Sequence, residues 1–472
     1  MTNDRTTEVT RRGAIAGALG TAALAMVAPG LADAHARKPN FLYIMADDMG
    51  FADLSCYGRR EYETPVLDGL ARQGMRFTNA YANSAVCTAS RVALITGRYQ
   101  YRLPIGLQEP LGKQDVGLPP EIPTIASLLR AQGYFTSLIG KWHLGSLPKY
   151  DPLKSGYDEF WGIRGGGVDY YTHGFNGNLD LWDAATKVED AGYLTDLLAD
   201  RAILTLEQSK QRGTPFFMSL HFTAPHWPWE GPDEQGKAES AFIARSPNPT
   251  ALSHYDGGNM ETYAKMVRSL DANIGRLLTR LAQLGMDKDT VVVFTSDNGG
   301  ERFSDTWPFT GKKTELLEGG LRIPAIVRWP GLTRPRTISD VPIMTMDWLP
   351  TFLATAGGQP DARFPSDGTD IRPAFTGQTL PDRTLYWRFK NHEQKAVRRG
   401  HMKYLSIAGN EFLFDIDADP LERANLKDRQ PALFAELKAS FGIWNKDMLN
   451  DPNAPSYGFS GKELADHFGI ER

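Results

Sequence analysis

The sequence is poor in cysteine, in net charge and in long apolar stretches. Its only two cysteines, Cys56 and Cys87, allow at most one disulfide, which excludes a small disulfide-stabilised scaffold. Lysine and arginine number 52 and aspartate and glutamate 56, a formal net charge of -4 over 472 residues. The chain contains no run of basic residues, so we expect no nucleic-acid partner.

The longest apolar stretch lies near the N-terminus. Arg11 and Arg12 precede an alanine- and glycine-rich segment at residues 14–31, and small residues typical of a cleavage site follow at 32–36. This order predicts a twin-arginine export signal over residues 1–36. An uncleaved anchor is the alternative, but alanine and glycine make a poor spanning helix. We therefore expect a periplasmic or secreted bacterial protein without a stable membrane anchor.

Short apolar runs alternate with helical patterns over residues 37–379. Five runs predict buried strands, and these are Phe41–Met45, Tyr134–Ile139, Pro215–Phe222, Thr290–Thr295 and Ile323–Arg328. Apolar spacing predicts helices over Thr124–Gln132 and Glu261–Leu284, each followed by a glycine. The alternation predicts an α/β fold with a large, mostly parallel sheet sandwiched by helices.

From about residue 380 the strand-like runs become shorter and follow one another closely. Three short runs there predict strands over Trp387–Arg388, Met402–Ile407 and Glu411–Asp415, and a helix is expected over Pro431–Phe441. We therefore expect a catalytic domain at 37–379 and a smaller C-terminal α+β domain at 380–472 that contains a short antiparallel sheet.

Reactive side chains follow four of the predicted strands. They are Asp47 and Asp48 after the first strand, Lys141 and His143 after the second, His226 after the third, and Asp297 and Asn298 after the fourth. Ligands in open parallel sheets bind outside the carboxyl ends of the strands, so all these side chains could face one cavity. Taken singly, the histidines are more typical of satisfied structural residues and the lysine of a surface ammonium group.

Three carboxylates and one amide form an oxygen-only ligand set in this group. Asp47, Asp48, Asp297 and Asn298 suit a hard divalent cation such as calcium or magnesium, whereas zinc prefers nitrogen or sulfur. Each acidic pair alone is more typical of a turn or a helix cap. If the three carboxylates converge in a buried site, their repulsion predicts a cation among them.

Cys87 begins a segment that is typical of a short helix ending at Gly97. A helix N-terminus favours an anion, and Arg91 projects from the same first turn. One alternative is a buried structural thiol, the commoner fate of a free cysteine. A thiolate phosphatase loop is a second alternative, but Ala93 occupies the position where that loop needs arginine.

The segment from Cys87 to Arg91 resembles the signature of the type I, formylglycine-dependent sulfatases, within the alkaline phosphatase superfamily. Similar segments run along the chain: A-D-D-M-G at 46–50, G-K-W-H-L-G at 140–145, A-P-H-W-P at 224–228, S-D-N-G-G at 296–300, K-T-E-L-L-E-G-G-L-R-I-P at 313–324 and F-L-F-D-I-D-A-D-P-L-E-R-A-N-L at 412–426. One departure is Ala89, which stands where the family usually has proline.

The resemblance implies an arylsulfatase-like sulfuric ester hydrolase. It implies that a formylglycine-generating enzyme oxidises Cys87 before folding, and that the hydrated aldehyde attacks an aryl sulfate or a sulfated sugar. The implied cation is calcium, with magnesium second, held by Asp47, Asp48, Asp297, Asn298 and the modified residue 87. The remaining implied roles are Arg91 orienting the hydrate, Lys141 and Lys313 contacting sulfate, His143 acting as base, and His226 with Lys313 protonating the leaving oxygen.

Two other functions stay open at this point. A phosphate or phosphonate ester hydrolase of the same superfamily would meet similar electrostatic demands, and an unmodified Cys87 would leave a non-catalytic sulfate or glycan binder. We expect Cys56, His221 and His254 to be structural and the run Gly165–Gly167 to be a flexible loop. Loop aromatics that could stack on a substrate ring are Trp161, Tyr170, Tyr171, Trp227, Trp229 and Trp307. The oligomeric state is not predicted.

Overall fold

The computed structural model describes residues 38–107, 115–175, 177–236 and 258–450. The predicted export signal and His254 lie outside the described residues. Among the residues described, no helix has both the length and the apolar character that crossing a bilayer would require.

The secondary structure of the described ranges alternates between strands and helices. In chain order the strands are β1 (Asn40–Ala46), β2 (Met75–Phe77), β3 (Ala80–Tyr81), β4 (Phe135–Gly140), β5 (Glu159–Gly162), β6 (Gly174–Phe175), β7 (Asn178–Leu179), β8 (Trp182–Asp183), β9 (Thr186–Lys187), β10 (Phe216–His221), β11 (Thr290–Ser296), β12 (Ala325–Arg328), β13 (Thr337–Ser339), β14 (Ile343–Met344), β15 (Thr384–Phe389), β16 (Gln394–Arg399), β17 (Met402–Ile407) and β18 (Asn410–Asp415). The α-helices are α1 (Pro65–Gln73), α2 (Cys87–Thr96), α3 (Ile125–Ala131), α4 (Leu194–Arg212), α5 (Met260–Gln283), α6 (Glu318–Leu321), α7 (Trp348–Thr355), α8 (Arg372–Phe375) and α9 (Pro431–Asn445).

Ten strands form one large sheet in the order β13-β2-β12-β11-β1-β10-β4-β5-β8-β9. Its five central strands, from β11 to β5, pair in parallel. On either side the next strand is antiparallel to this central set, so the predicted strand β12 runs against its neighbour β11. The α/β prediction is therefore confirmed.

Alternate side chains of β1 enter two different cores. Leu42 and Ile44 pack in a buried cluster with residues of α4 and α5. Phe41 and Tyr43 point to the opposite face, where they pack in a cluster with residues of α2, α3 and α7. Because successive strand residues face opposite sides, a strand covered by helices on both faces must be apolar throughout. This explains the unbroken apolar run on which the strand prediction rests.

A separate four-stranded antiparallel sheet, in the order β15-β16-β17-β18, lies in the C-terminal part. The sequence pattern predicts the first, third and fourth of these strands but not β16, whose sequence Q-K-A-V-R-R alternates only weakly. Trp387 of this sheet is fully buried and its indole donates a hydrogen bond to the carbonyl of Ala82. The expected C-terminal antiparallel sheet is thus confirmed, and the boundary between residues 379 and 380 stays a prediction.

Candidate active site

Four neighbouring central strands carry the predicted site residues at their carboxyl ends. The strands β11, β1, β10 and β4 are adjacent and parallel, so the segments that follow them emerge at one edge of the sheet. Asp47 and Asp48 follow β1 directly, and Asp297 and Asn298 follow β11. All four side chains are buried. Parallel strand order thereby brings together residues that lie some 250 positions apart.

Three residues at this edge have a left-handed backbone. The φ angles of Asp48, His143 and Thr314 are 62°, 54° and 74°. This conformation is costly for residues with a side chain, and such residues concentrate at functional sites. Here the turns at Asp48 and His143 follow a strand end, and Thr314 adjoins Lys313. Local strain at these three points accompanies the convergence of the side chains.

Cys87 is the first residue of α2 and its thiol faces the carboxylates. Its Sγ lies 3.5 Å from Oδ1 of Asp47 and 3.7 Å from Oδ1 of Asp48. Ligand atoms of these three residues and of Asp297 all lie within 4.8 Å of one another. At the other end of α2, Gly97 closes the helix with a left-handed φ of 64°. The predicted helix therefore presents residue 87 to the acidic group.

Each buried carboxylate pairs with a buried basic side chain. Lys141 Nζ lies 2.7 Å from Asp47 Oδ2, Lys313 Nζ lies 2.6 Å from Asp48 Oδ2, and Arg91 Nη2 lies 2.8 Å from Asp297 Oδ2. Removing one partner of such a pair would leave an uncompensated buried charge. The sequence predicts that these carboxylates repel one another without compensation. In the structure each of them is paired with a basic group. Repulsion alone does not require a cation here.

The three carboxyl groups differ in their proton affinity. Burial and the neighbouring charge of Asp297 raise the pKa of Asp47 to about 8. Burial also disfavours the charged form of Asp48, but Lys313 and His226 outweigh it and hold the pKa of Asp48 below its usual range. In the same way Arg91 and Lys141 offset the burial of Asp297 and lower its pKa. The acidic group thus keeps most of its negative charge at neutral pH.

The donor set fits a hard divalent cation. The Nδ2 amide of Asn298 donates to Asp48 Oδ1 at 2.8 Å and to the carbonyl of Gly299 at 2.9 Å, which fixes the orientation of the amide. Its Oδ1 is buried and accepts no hydrogen bond within the described part of the chain. An unsatisfied buried oxygen beside three carboxylates is what oxygen-ligated Ca²⁺ or Mg²⁺ needs. Asp47, Asp48, Asp297 and Asn298 would hold such an ion.

Both predicted histidines lie at the same edge. His226 Nε2 is 3.5 Å from Asp48 Oδ2, and its Nδ1 contacts the carbonyl oxygen of Trp227. His143 Nδ1 is buried without a hydrogen-bond partner among the described residues. Burial lowers the pKa of both imidazoles well below its usual value, and nearby lysines add to the effect. At His226 the charge of Asp48 opposes this lowering.

Two residues that the sequence did not assign to the site make contacts in it. His221, expected to be structural, places Nδ1 3.2 Å from the carbonyl of Lys141 and 3.4 Å from Arg91 Nη1. Glu301 approaches Lys313, with Oε2 3.7 Å from Nζ. Glu301 directly follows the S-D-N-G-G segment, but a lone glutamate after two glycines has no distinctive sequence signal.

Most of the loop aromatics pack in the interior. Trp161, Tyr170, Trp227 and Trp229 are buried in the core cluster of α4 and α5, so packing explains them and ring stacking on a substrate does not. Of the six aromatics, Trp307 is the one with a largely free surface, 66% exposed. Cys56 is half-buried and, like Cys87, forms no disulfide.

Comparison with known proteins assigns the family. The model described as Sulfatase matches residues 39–358. Arylsulfatase A of Homo sapiens is 32% identical over 89% of this chain and 85% of its own length. N-acetylgalactosamine-6-sulfatase of Canis lupus familiaris is 30% identical over 80% of this chain and 74% of its own. The relatives thus align with most of the chain.

A solved structure extends the similarity to the fold. The structure of Ps i-CgsB has a TM-score of 0.80 and 29% sequence identity, and covers 92% of this chain and 98% of that chain. Ps i-CgsB was also solved in complex with k-i-k-neocarrahexaose. Together with the site geometry, these matches establish that the chain belongs to the sulfatase family, sulfuric ester hydrolases of the alkaline phosphatase superfamily.

Proposed function

We propose that this sulfatase uses a formylglycine formed from Cys87 and one divalent cation to hydrolyse sulfate esters of saccharides. The observation that carries the proposal is the approach of Cys87 Sγ to Asp47 and Asp48, within 3.7 Å of both. Burial raises the pKa of the Cys87 thiol well above its usual value. An unmodified, protonated thiol is a weak nucleophile, which supports conversion of residue 87 before catalysis.

The surrounding side chains supply binding and proton transfer. Arg91 orients the hydrated aldehyde at position 87, and Lys141 with Lys313 binds the sulfate oxygens. When bound, the cation supplies charge neutralisation and makes the attacking hydroxyl more acidic. One hydroxyl gives its proton to an adjacent carboxylate, Asp47 or Asp48, and attacks sulfur. The bond from sulfur to the leaving oxygen breaks with its electron pair on that oxygen. His226 and Lys313 supply the proton that this oxygen takes up.

Release of sulfate needs a base on the other side of residue 87. His143 takes the proton of the remaining hydroxyl, so that the aldehyde carbonyl forms again. The bond from the carbon to the sulfate oxygen then breaks, and inorganic sulfate leaves with the electron pair. Water adds to the aldehyde and restores the hydrate. Serine at position 87 would lack the second hydroxyl and would stop after the first step.

A saccharide sulfate is the favoured substrate class. Ps i-CgsB, which covers 92% of this chain, was solved with k-i-k-neocarrahexaose, an oligosaccharide. N-acetylgalactosamine-6-sulfatase, 30% identical to this chain, is also named for a sugar ester. Arylsulfatase A, 32% identical, leaves aryl sulfates as the alternative. A panel of galactosamine, 4-nitrophenyl and steroid sulfates tests the choice. The saccharide proposal requires the highest kcat/KM on the sugar ester.

Mass spectrometry of the peptide that contains residue 87 tests the mechanism. The enzyme is produced with and without a formylglycine-generating enzyme, the partner we propose to act before folding. We expect an aldehyde and sulfate release only in the first preparation, and neither in the Cys87→Ala variant. An active preparation in which residue 87 is wholly unmodified would refute the mechanism. A preparation that carries the aldehyde and binds sulfated glycans without hydrolysing them would identify a binding protein instead.

We also propose export through the twin-arginine route, on the basis of Arg11 and Arg12. Fractionation of a bacterial host tests this step. The wild-type chain should reach the periplasm, and a variant with both arginines changed to lysine should stay in the cytoplasm. Equal export of both would contradict the proposed route.

A further inference from the structure

The run Gly165–Gly167, predicted to be a flexible loop, lies beside the catalytic histidines. It follows β5 and runs along the segment after β4. Trp142 donates its backbone N–H to the carbonyl of Ile163 at 2.9 Å, and His143 donates to the carbonyl of Arg164 at 3.2 Å. These two hydrogen bonds extend the pairing of the strands beyond their ends and bring the glycines to the site.

Each of two adjacent glycines lies against a different histidine. A Cβ atom added at Gly166 would lie 2.7 Å from both Nε2 and Cε1 of His143. A Cβ added at Gly167 would lie 3.0 Å from Cε1 and 3.2 Å from Nδ1 of His226. Carbon atoms do not approach other heavy atoms to 2.7 Å without a shift of one group. A side chain at Gly166 would therefore require the ring of His143 to shift, and one at Gly167 would require the ring of His226 to give by a few tenths of an ångström.

A partly buried carboxylate holds the same segment in place. Asp180 Oδ2 accepts the backbone N–H of Gly165 at 2.7 Å, and Oδ1 accepts that of Arg164 at 3.3 Å. The indole of Trp182 donates to Oδ1 at 2.6 Å and orients the carboxylate. Asp180 thus fixes the backbone immediately before the two glycines that contact the histidines.

We propose that Gly166 and Gly167 set the orientation of His143 and His226. Asp180 is the positioning residue that holds the backbone of these glycines in place. An imidazole turns about two side-chain bonds, and a flat backbone packed against its edge restricts both. Restricting the rings matters because proton transfer requires a hydrogen bond of defined geometry to the reacting oxygen. This inference rests on the proton-transfer roles in the proposed function.

The two glycine variants should differ in their kinetics. Gly167→Ala displaces His226, the proton donor, so it should lower kcat/KM for a sugar sulfate by at least about tenfold. It should lower kcat/KM for 4-nitrophenyl sulfate much less, because nitrophenolate leaves without a proton. Gly166→Ala displaces His143, which acts after the leaving group has departed. It should therefore lower kcat equally for both substrates and produce a burst of released nitrophenol in the first turnover.

Gly442→Ala is the matched control, since an added Cβ there meets nothing within 4 Å. It should leave both kinetic constants unchanged. Asp180→Asn keeps the side-chain volume but puts an NH₂ group against one of the donors that now face the carboxylate. It should lower activity on both substrates, with the larger loss on the sugar sulfate and with a burst of nitrophenol in the first turnover. Its melting temperature should stay close to that of the wild type. If Gly166→Ala or Gly167→Ala has a much lower melting temperature than the wild type, Asp180→Asn takes its place in the kinetic comparison.

The outcomes separate this inference from the proposed function. If the wild-type enzyme carries the aldehyde and releases sulfate from neither substrate, the proposed function fails. If the wild type is active and the folded Gly166, Gly167 and Asp180 variants match Gly442→Ala on both substrates, the positioning role is wrong. Equal losses on both substrates for Gly167→Ala would also overturn the link between that glycine and the proton donor.

Discussion

Cys87 Sγ lies 3.5 Å from Oδ1 of Asp47, although forty positions separate the two residues in the chain. The first is the first residue of α2, and the second directly follows β1. Their contact joins the N-terminus of a helix to the carboxyl end of a central strand. The proposed nucleophile and the proposed ion site therefore share one structural junction, and changes on either side of it should affect both.

Asp297→Asn should remove the cation. The substitution keeps the size of the side chain but replaces one of the three carboxyl groups that would bind a divalent ion. We expect the metal content per chain to fall from one to well below one, and kcat/KM to fall by at least about 100-fold. Elemental mass spectrometry after dialysis and a sulfate-release assay measure the two effects. Asp115→Asn is the control, because that carboxylate is 73% exposed. Full metal content in Asp297→Asn would contradict the ligand assignment.

Arg91→Lys should impair catalysis more than folding. The guanidinium contacts Asp297 through two nitrogens and the carbonyl of Lys141 through a third contact. Lysine keeps the charge but cannot reproduce this fork. We expect a fall of about 100-fold in kcat/KM, of the size seen when one charge-stabilising donor is lost. Steady-state kinetics and a thermal melt check the prediction. An unchanged kcat/KM would show that the guanidinium does not orient the nucleophile.

Ala89→Pro should be tolerated by the folded protein. Residue 89 is the third residue of α2, where a backbone N–H has no partner inside the helix. Proline there removes no helical hydrogen bond, and the free energy of unfolding should change by less than about 1 kcal/mol. Because the family usually has proline at this place, the aldehyde fraction at residue 87 should stay equal or rise. Quantitative mass spectrometry of the peptide that contains residue 87 measures this fraction in both proteins. A lower aldehyde fraction would show that alanine suits the modifying enzyme better.

Glu422→Gln should become more stable relative to the wild type as the pH rises. Lys403 is buried between two carboxylates, 2.8 Å from Glu318 Oε1 and 2.9 Å from Glu422 Oε1. Burial and the charge of Glu318 raise the pKa of Glu422 from its usual value of 4.5 to about 7. A carboxyl whose pKa is higher in the folded than in the unfolded chain favours folding below the unfolded pKa. That contribution disappears as the pH rises through 4.5 toward 7.

The glutamine variant has no proton to lose in this range. Its stability relative to the wild type should therefore increase between about pH 5 and about pH 8, by on the order of 2 kcal/mol. Denaturant unfolding at both pH values measures the difference. Glu436→Gln, at a side chain that is 60% exposed, should show no comparable trend. A difference that is constant with pH would mean that Glu422 is ionised throughout.

Local patterns predicted much of the fold and most of the site. The apolar runs of β1, β4, β10 and β11 are continuous because both faces of these strands are covered, and each prediction lies within two residues of the observed bounds. β16 was not predicted because its apolar and polar residues alternate only weakly. Parallel order then implied that the side chains after the strands meet, and Cys87, Asp47 and Asp297 do meet.

The sequence by itself determined which residue types follow each strand, where α2 begins, and to which family the motifs belong, because these depend on spacing along the chain. Only the tertiary structure decided that Lys141, Lys313 and Arg91 balance the three carboxylates, and that Gly166 and Gly167 lie against the histidines. Charge pairing and close packing depend on distances between segments far apart in sequence. Those distances exist only once the sheet and its helices have assembled.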